Sequence, residues 1–229
     1  MGFGMDELMT KDTPHGTAGF THVYLARLPE RGEVTSLGYP PRDGEIEGIR
    51  NGKVRREKYF VFRLLERAAR ESLGLSIKEL APERSECGRW YSPMCDFSLA
   101  HSGGMLAVAI SSERVGIDLQ RLLTPASPGF AERTLTAGEF TRYKSLVGEE
   151  RGRYLISAWS GKEAIFKTLG EESFVPSKLD TEHPSSTVCD ELKDHRLLTD
   201  CLERYGEKFV LSVFFAAEYE TVILKDIEL

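Results

Sequence analysis

The order of helical and strand patterns most constrains the fold of this chain, because the same order occurs twice. A helical pattern of apolar residues over 54–73 precedes a continuously apolar run over 105–110, and a helical pattern over 153–169 precedes an apolar run over 209–217. Apolar residues three and four apart predict helices, and short continuous apolar runs predict strands covered on both faces. We therefore predict an α+β fold, a pseudo-dimer of two similar α/β halves with a cleft between them.

The segments outside these patterns predict where the two halves begin and end. Residues 1–19 contain four glycines and little periodicity, which is typical of a flexible N-terminal leader. Residues 122–129 have the sequence LLTPASPG, and two prolines, a glycine and small residues in mid-chain predict a linker. The predicted halves are residues 20–121 and residues 130–229.

Local patterns and turn residues predict the remaining elements. Before the linker we expect a strand at 20–27, a loop at 29–48, a strand at 95–100, a turn at 101–104 and a short strand at 115–119. After the linker we expect one helix over 130–146, an extended polar loop over 177–194 and a final strand at 221–224.

Composition and charge exclude several classes of function. The 229 residues include 30 Lys and Arg against 36 Asp and Glu, so the net charge is −6 and the chain is not a general nucleic-acid binder. The longest strongly apolar stretch, 209–217, is too short for a membrane span of roughly 20 residues, and no secretion signal is visible. The four cysteines form no CxxC pair. We therefore expect a cytoplasmic protein that binds neither nucleic acid nor membrane.

One carboxylate stands inside an otherwise apolar strand pattern. Asp118 lies within the sequence VGIDL, and burying a lone carboxylate is costly unless it meets a donor or a metal. Together with Glu163 it could hold a hard divalent cation such as Mg²⁺, and Gln120, on the same strand face, could add a carbonyl oxygen. The alternative is an aspartate that caps a turn.

The segment WSGKEAIFK, residues 159–167, carries three charged residues in an apolar helical pattern. Glu163 and Lys167 are one turn apart, an acid-then-base spacing that favours an ion pair. As an exposed pair, they would contribute about 0.3–0.5 kcal/mol to stability and have no further role. Because the neighbouring residues leave little of this helix for water, we expect Lys162, Glu163 and Lys167 to face partners or a ligand.

Two features predict the binding of an anion, and of phosphate in particular. His101 and Ser102, followed by two glycines, form a turn whose amides, hydroxyl and imidazole would make an anion nest. A basic cluster opens the first long helical pattern: Arg50, Lys53, Arg55, Arg56 and Lys58. Cations at a helix N-terminus oppose its dipole, so a bound anion would explain them. The alternative is a solvated start of a helix.

Three of these motifs follow one another in a specific order: HSGG at 101–104, VGIDLQ at 115–120 and WSGKEAIFK at 159–167. In that order they resemble the surfactin-synthetase type of 4′-phosphopantetheinyl transferase, and the resemblance runs from about residue 50 to residue 170. It implies a pseudo-dimeric α+β fold with the active site in the cleft, coenzyme A as substrate and Mg²⁺ as cofactor. The implied reaction transfers the 4′-phosphopantetheine arm of coenzyme A to a serine of an apo acyl or peptidyl carrier protein and releases adenosine 3′,5′-bisphosphate.

The resemblance also implies a role for each residue of the catalytic group. Asp118 and Glu163 would bind Mg²⁺, with Gln120 at the position of a further ligand. Glu163, directly or through a metal-bound water, would take the proton of the carrier serine. Lys167 would contact the pyrophosphate and stabilise the leaving phosphate, with Lys162 alongside it.

Residues from other segments would bind coenzyme A itself. His101, with Ser102, would meet its phosphates, and Gly88 and Arg89 fall in the loop that contacts adenine in this family. The cations expected near the 3′-phosphate are Arg50, Lys53 and Arg56.

Two positions depart from the family pattern. Gln120 replaces an acidic residue, so water is expected at one coordination position, and Ala100 replaces a serine before the histidine, which removes one expected hydrogen bond to phosphate. The alternative to an enzyme is a non-catalytic module of the same fold that binds coenzyme A, a nucleotide or a carrier protein. Because the chain holds two halves and a linker, we expect a monomer.

Overall fold

The computed structural model describes residues 19–122, 129–218 and 222–229. The predicted leader at 1–19 lies almost entirely outside these residues, and so does most of the predicted linker at 122–129. Both segments, and the division into halves that depends on them, stay predictions.

Helices and strands alternate along the described residues. The helices are α1 (Pro40–Glu47), α2 (Gly52–Leu73), α3 (Ile77–Leu80), α4 (Phe130–Thr134), α5 (Ala137–Ser145) and α6 (Gly148–Leu169). The strands are β1 (Thr21–Arg27), β2 (Glu83–Arg84), β3 (Trp90–Tyr91), β4 (Asp96–Ser102), β5 (Met105–Ser111), β6 (Gly116–Arg121), β7 (His195–Arg204), β8 (Glu207–Ala216) and β9 (Val222–Asp226). Within the described residues, no helix is both long enough and apolar enough to cross a membrane.

Strands from opposite ends of the chain share sheets. The larger sheet has the order β4-β5-β1-β9, in which β1 pairs antiparallel with β5 and parallel with β9. The smaller sheet has the order β6-β8-β7, with both pairs antiparallel. The chain therefore crosses between the sheets twice, since β6 pairs with the late strand β8 and β9 returns to β1. A separate short hairpin is formed by β2 and β3.

The two sheets pack face to face, and each carries a long helix on its outer face. Successive side chains of a strand point to opposite faces. Along β5, Leu106 and Val108 join the core under α2, whereas Met105 and Ala107 join the core between the sheets. On the far face of the smaller sheet, Phe214 packs against residues of α6. The mixed α+β class is confirmed, and the pseudo-dimer of similar halves stays a prediction.

Side chains of β4 join the two sheets by accepting hydrogen bonds from the outer edge of β6. The pairs are Asp96 with the amide of Val115 (2.8 Å), Ser98 with the amide of Ile117 (3.1 Å) and Ser102 with the amide of Arg121 (2.9 Å). Because β6 is an edge strand, its outward amides need partners from outside its own sheet. These contacts fix β6, which carries Asp118, against β4, which carries His101.

Two predictions of secondary structure are wrong, and one strand was missed. The predicted loop at 29–48 contains helix α1, which begins at two prolines because proline is tolerated in the first turn. The single helix predicted over 130–146 is two helices, since Leu135 is extended and Thr136 caps the start of α5. Strand β7 was not expected, because its polar residues hide the alternation of a strand.

The turn predicted over 101–104 is only two residues long. His101 and Ser102 are the last residues of β4, and Gly103 and Gly104 make the hairpin with φ of 56° and 82°. A two-residue hairpin of this kind needs left-handed backbone at both positions, which glycine adopts readily. His101 and Ser102 therefore project from opposite faces of a strand instead of sharing a turn.

Helix α6 lies very close to β6 because residue 116 has no side chain. A Cβ atom on Gly116 would lie 1.9 Å from the backbone oxygen of Ala164 and 2.3 Å from Oγ1 of Thr168. On the side of α6 toward the 176–181 segment, a Cβ atom on Gly161 would lie 2.9 Å from Cγ2 of Thr181. The two glycines thus let α6 pack closely against β6 and against the segment that follows the helix.

Lys162 and Glu139 form a buried ion pair beside α6. Both side chains are 0% exposed, and Nζ lies 2.5 Å from Oε2. Lys162 also donates to the carbonyl oxygens of Pro176 (3.1 Å) and Leu179 (2.7 Å), while Glu139 accepts from the amide (2.9 Å) and hydroxyl (2.7 Å) of Thr181. Burial acts to raise the pKa of Glu139, but its hydrogen bonds outweigh burial and the pKa is lowered. The pair ties α5 and the 176–181 segment to α6.

Replacement of Gly116 by alanine should destabilise the protein, because the added methyl group meets backbone that cannot move aside as a flexible side chain can. Overpacking costs about 1–3 kcal/mol, so chemical denaturation should show the free energy of unfolding of G116A lowered by at least that amount. The control is G152A in α6, where a Cβ atom meets nothing within 4 Å. This control should gain up to about 1 kcal/mol from helix propensity. Equal stability of G116A and wild type would contradict the close contact.

Replacement of Lys162 by methionine should also destabilise the protein, since it leaves the carboxylate of Glu139 buried without its cation. Breaking a buried pair in this way typically costs about 3–5 kcal/mol, measured as a loss in the free energy of unfolding. Lys178 is exposed on the neighbouring segment, and K178M should have wild-type stability. Near-wild-type stability of K162M would show that the ion pair does not hold these elements together.

Candidate active site

Asp118 points from β6 toward the last turns of α6. Ile117 and Leu119 face the core between the sheets, so the residue between them faces the helix. The Asp118 side chain is 6% exposed, and its Oδ1 accepts a hydrogen bond from Nζ of Lys167 at 2.8 Å. Lys167 also donates to the carbonyl oxygen of Ile117 at 3.0 Å. The buried carboxylate expected from the sequence therefore meets a cation across an interface, and it does not cap a turn.

Gln120 holds the second oxygen of the same carboxylate. Its Nε2 donates to Oδ2 of Asp118 at 2.9 Å. With one oxygen bound by Lys167 and the other by Gln120, the carboxylate of Asp118 has a fixed orientation. In this arrangement the amide nitrogen of Gln120 faces Asp118, so Gln120 acts here as a support for that carboxylate.

Glu163 lies one turn before Lys167 on α6 and is half-buried. Burial raises the pKa of its carboxyl; the Lys167 ammonium opposes this rise and the Asp118 carboxylate adds to it, so the pKa is raised overall. The carboxyl of Glu163 is thus in the electrostatic field of both neighbours. A carboxyl in this position can exchange a proton near neutral pH more readily than an exposed one.

His101 reaches the same region from the end of β4. Its side chain is 34% exposed, and its Nδ1 lies 3.7 Å from Oε2 of Glu57 on α2. Burial lowers the pKa of His101 and Glu57 opposes this; Lys167 and Lys58 lower the pKa further and Asp118 opposes them, so the pKa is lowered overall. His101 therefore lies within electrostatic reach of the Asp118–Lys167 pair. Asp118, Gln120, Glu163, Lys167 and His101, all expected at the site from the sequence, are brought together by the fold.

A cavity of about 340 Å³ opens beside Lys167, between the β2–β3 hairpin and the end of α6. Its walls include Gly88, Arg89, Trp90, Phe97, Phe166 and Lys167. Gly88 lies in the hairpin turn with a φ of 86°. The loop that the family resemblance assigns to adenine therefore lies next to the lysine that it assigns to pyrophosphate.

Arg89 uses its guanidinium to fix this wall of the cavity. Its Nε donates to the carbonyl oxygen of Lys167 at 2.8 Å, and its terminal nitrogen is paired with Asp96. Only 15% of the Arg89 side chain is exposed. Arg89 therefore joins the hairpin, β4 and the end of α6, and it holds the backbone of Lys167 in place.

The predicted cations of α2 lie in different environments. Arg50 and Lys53 are exposed at the start of the helix, where Asn51 provides the cap. Arg56 instead donates to the carbonyl oxygens of Gly32 (2.9 Å) and Pro29 (2.5 Å). Arg50 and Lys53 are therefore open to a ligand, whereas Arg56 holds the loop that follows β1.

Three sequence-based expectations are corrected by these positions. Lys162 does not lie alongside Lys167 at the cavity, because its ammonium is buried against Glu139 and two carbonyl oxygens. The hydroxyl of Ser102 accepts a hydrogen bond from the amide of Arg121 where β4 meets β6, and it does not belong to an anion nest. Ala100 is buried in the core between the sheets, so a serine there would not face the same side as His101.

The acidic residues fit a magnesium ion that is shared with a phosphorylated substrate. Asp118 and Glu163 supply carboxylate oxygens, which are the ligands that this cation prefers. Among the described residues no group of three His, Cys, Asp or Glu side chains could hold a metal ion by itself. Mg²⁺ commonly binds one or two carboxylates together with substrate phosphates and waters, so a site with two carboxylates suits it.

Glu57 is near the site, although the sequence argument gave it no role there, and so is Lys58 of the predicted basic cluster. Both belong to α2, and both act on the pKa of His101. The available signal is the helical pattern itself: Glu57 precedes Val61 and Leu64 by four and seven residues, which places it on the buried face of α2. A carboxylate on that face needs a partner, although the basic cluster around it is the stronger signal in the sequence.

Comparison with known proteins shows what the later part of the chain is similar to. Residues 114–220 match the model of the 4′-phosphopantetheinyl transferase superfamily. The chain is 31% identical over 107 residues to the 4′-phosphopantetheinyl transferase ffp of Bacillus subtilis, covering 45% of this chain and 46% of that protein. It is 45% identical over 60 residues to a holo-[acyl-carrier-protein] synthase of Streptococcus suis (strain 05ZYH33), covering 24% of this chain and 50% of that protein.

A second 4′-phosphopantetheinyl transferase of Bacillus subtilis is 26% identical over 116 residues, covering 49% of this chain and 51% of that protein. The chain thus spans about half the length of the curated relatives it matches. The matched region contains β6 with Asp118 and α6 with Glu163 and Lys167. The resemblance seen in the ordered motifs is confirmed, since residues 114–220 are similar to the 4′-phosphopantetheinyl transferase superfamily.

Proposed function

We propose that this protein transfers the 4′-phosphopantetheine arm of coenzyme A to a serine of an apo acyl or peptidyl carrier protein, in a Mg²⁺-dependent reaction that releases adenosine 3′,5′-bisphosphate. The observation that carries the proposal is the convergence of Asp118, Glu163 and His101 on Lys167, which itself lines a cavity of about 340 Å³. The names of the relatives, two transferases and one holo-[acyl-carrier-protein] synthase, support the same reaction class.

The cavity is suited to the nucleotide end of coenzyme A. Its walls combine aromatic rings, which can stack on a base, with the basic residue Lys167. Arg50 and Lys53 lie exposed on α2, on the element that carries Glu57 beside His101. We assign adenine to the side of Gly88 and Arg89, the pyrophosphate to Lys167 and His101, and the 3′-phosphate to Arg50 and Lys53.

Asp118 and Glu163 would hold the magnesium ion. When bound, Mg²⁺ supplies a Lewis acid that neutralises charge on the pyrophosphate. Asp118 is suited to a fixed position because both of its oxygens are already oriented, one by Lys167 and one by Gln120. Among the described residues, no two hydrogen-bond donors orient the carboxyl of Glu163 in this way, and its pKa is raised.

Proton transfer is assigned to Glu163. A general base works best when its pKa lies near the operating pH, and burial together with the neighbouring Asp118 moves the carboxyl of Glu163 in that direction. We propose that Glu163 takes the proton of the carrier serine as the hydroxyl oxygen of that serine attacks the β-phosphorus of coenzyme A. Lys167 then stabilises the negative charge on the departing adenosine 3′,5′-bisphosphate.

The proposal also covers the cell compartment and the oligomeric state. All four cysteines are free thiols, which suits a reducing cytoplasm. We further propose that the active protein is a monomer, because one chain supplies both β6 and α6 with their catalytic residues.

The function is tested by incubating the protein with coenzyme A, Mg²⁺ and purified apo carrier proteins of the fatty-acid, polyketide and peptide-synthetase types. Mass spectrometry of the carrier should show the gain of one phosphopantetheine arm, and the gain should disappear when the carrier serine is changed to alanine. Binding of coenzyme A without any modified carrier would instead favour the non-catalytic module, for which Gln120 in place of an acidic residue is the supporting feature.

Replacement of Lys167 by methionine should lower kcat by about 100-fold or more, because its charge is needed most when negative charge builds on the leaving group. The variant should also lose about 1–3 kcal/mol of stability, since the buried carboxylate of Asp118 loses a charged partner. Steady-state kinetics on a carrier substrate, run beside thermal unfolding, measures both effects. The exposed K178M serves as the control and should match wild type. A K167M variant with wild-type kcat would remove Lys167 from the reaction.

A further inference from the structure

Glu57 is a buried carboxylate at the edge of the proposed coenzyme A site, and the proposed mechanism gives it no role. It lies on α2, and its side chain is only 10% exposed. Burial of a charged carboxylate costs free energy unless cations or hydrogen-bond donors compensate it. Its neighbours should therefore show what it does.

The two oxygens of Glu57 face two different basic side chains of the proposed site. Oε2 lies 3.7 Å from Nδ1 of His101, which is on β4 in the larger sheet. Oε1 lies 4.0 Å from Nζ of Lys53, one turn earlier on α2. Lys53 is exposed and its contact is of the weak surface kind, whereas His101 is the partner on the buried side.

The contact between Glu57 and His101 crosses from one element to another. At 3.7 Å it is an ion-pair distance and is longer than a hydrogen bond. Contacts of catalytic groups are often long in the absence of substrate and shorten when it binds. With Nδ1 directed to Glu57, Nε2 is the ring nitrogen that can donate to a phosphate.

We propose that Glu57 is a positioning residue for coenzyme A binding: its carboxylate faces Nδ1 of His101 and orients the imidazole so that Nε2 meets a phosphate of coenzyme A. This inference rests on the proposed function for the identity of the ligand. It deepens that proposal by assigning the orientation of His101 to a residue that does not itself meet the phosphate.

The charges around His101 show how Glu57 acts on the ring. Burial of the ring favours its neutral form, and so do the ammonium groups of Lys167 on α6 and Lys58 on α2, so the pKa of His101 is lowered overall. The carboxylates that oppose this lowering are Glu57 on α2 and Asp118 on β6. Asp118 is already paired with Lys167, so Glu57 is the carboxylate that His101 meets, at 3.7 Å.

The experiment is a double-mutant cycle on coenzyme A binding, with E57Q, H101N and the double variant. Glutamine keeps the shape of Glu57 and removes its charge. We expect E57Q to weaken coenzyme A binding, measured by calorimetry near pH 7, by about threefold to tenfold, in keeping with one lost charge-assisted contact. In the H101N background the same change should have little effect, because Glu57 acts through the histidine.

A matched control is available on the same helix. Glu66 is 19% exposed and pairs with Arg63 at 2.5 Å and with Arg70 at 3.8 Å. E66Q makes the same chemical change in a carboxylate that contacts other arginines of α2, and it should bind coenzyme A as wild type does. Equal thermal unfolding of E57Q and E66Q would show that any difference in binding is not a loss of fold.

A second measurement reports on His101 without any ligand. The NMR titration of its ring, assigned by its absence in H101N, should show a lower pKa in E57Q than in wild type, because a carboxylate that favours the cation is lost. The difference in coenzyme A affinity between E57Q and wild type should then shrink toward about pH 5, where both rings are protonated.

Several outcomes would overturn the inference. E57Q would overturn it by binding coenzyme A as tightly as wild type or more tightly, or by losing as much affinity in the H101N background. An unshifted pKa of His101 in E57Q, or no binding of coenzyme A to wild type, would also overturn it. Failure of the proposed function would be a different result: Glu57 and His101 would still act together on coenzyme A binding, but no carrier protein would be modified.

Discussion

The ion pair between Asp118 and Lys167 crosses the contact between β6 and α6, and the geometry of the site depends on that contact. Its length of 2.8 Å requires the helix to lie close to the strand, and Gly116 makes this approach possible because it has no side chain to meet Ala164. The same approach brings Glu163 into the field of Asp118. One missing side chain on a strand therefore sets the distance between the two carboxylates that would hold a metal ion.

The rest of the fold keeps this interface in place from both sides. On one side, Asp96, Ser98 and Ser102 attach the free edge of β6 to β4, which also brings His101 to the site. On the other side, the buried pair of Lys162 and Glu139 attaches α5 and the 176–181 segment to α6. The site thus lies where two sheets and two long helices meet, and its charged residues come from three different elements.

The neighbouring lysines of α6 show how burial separates two similar side chains. Lys162 is 0% exposed and its ammonium meets the carboxylate of Glu139 and two carbonyl oxygens, which suits a residue that holds the structure together, whereas Lys167 is 27% exposed beside a cavity. Both stand in one short motif, and five residues along a helix turn the side chain by 500°, or 140° beyond a full turn. The motif therefore combines a structural cation with a cation that can meet a ligand.

The sequence by itself determined the class of fold, the long helices, most of the strands and the charged residues of the candidate site. Apolar periodicity reports burial directly, and Asp118, Glu163 and Lys167 stood out because charges are rare in apolar patterns. Only the tertiary structure decided which residues those charges meet. Lys167 pairs with Asp118 of another element and not with Glu163 one turn away, Lys162 and Ser102 are used inside the fold, and Glu57 approaches His101 across 44 positions of the chain. These partners depend on how the sheets and helices pack, and a local pattern carries no information about contacts between residues that are distant in sequence.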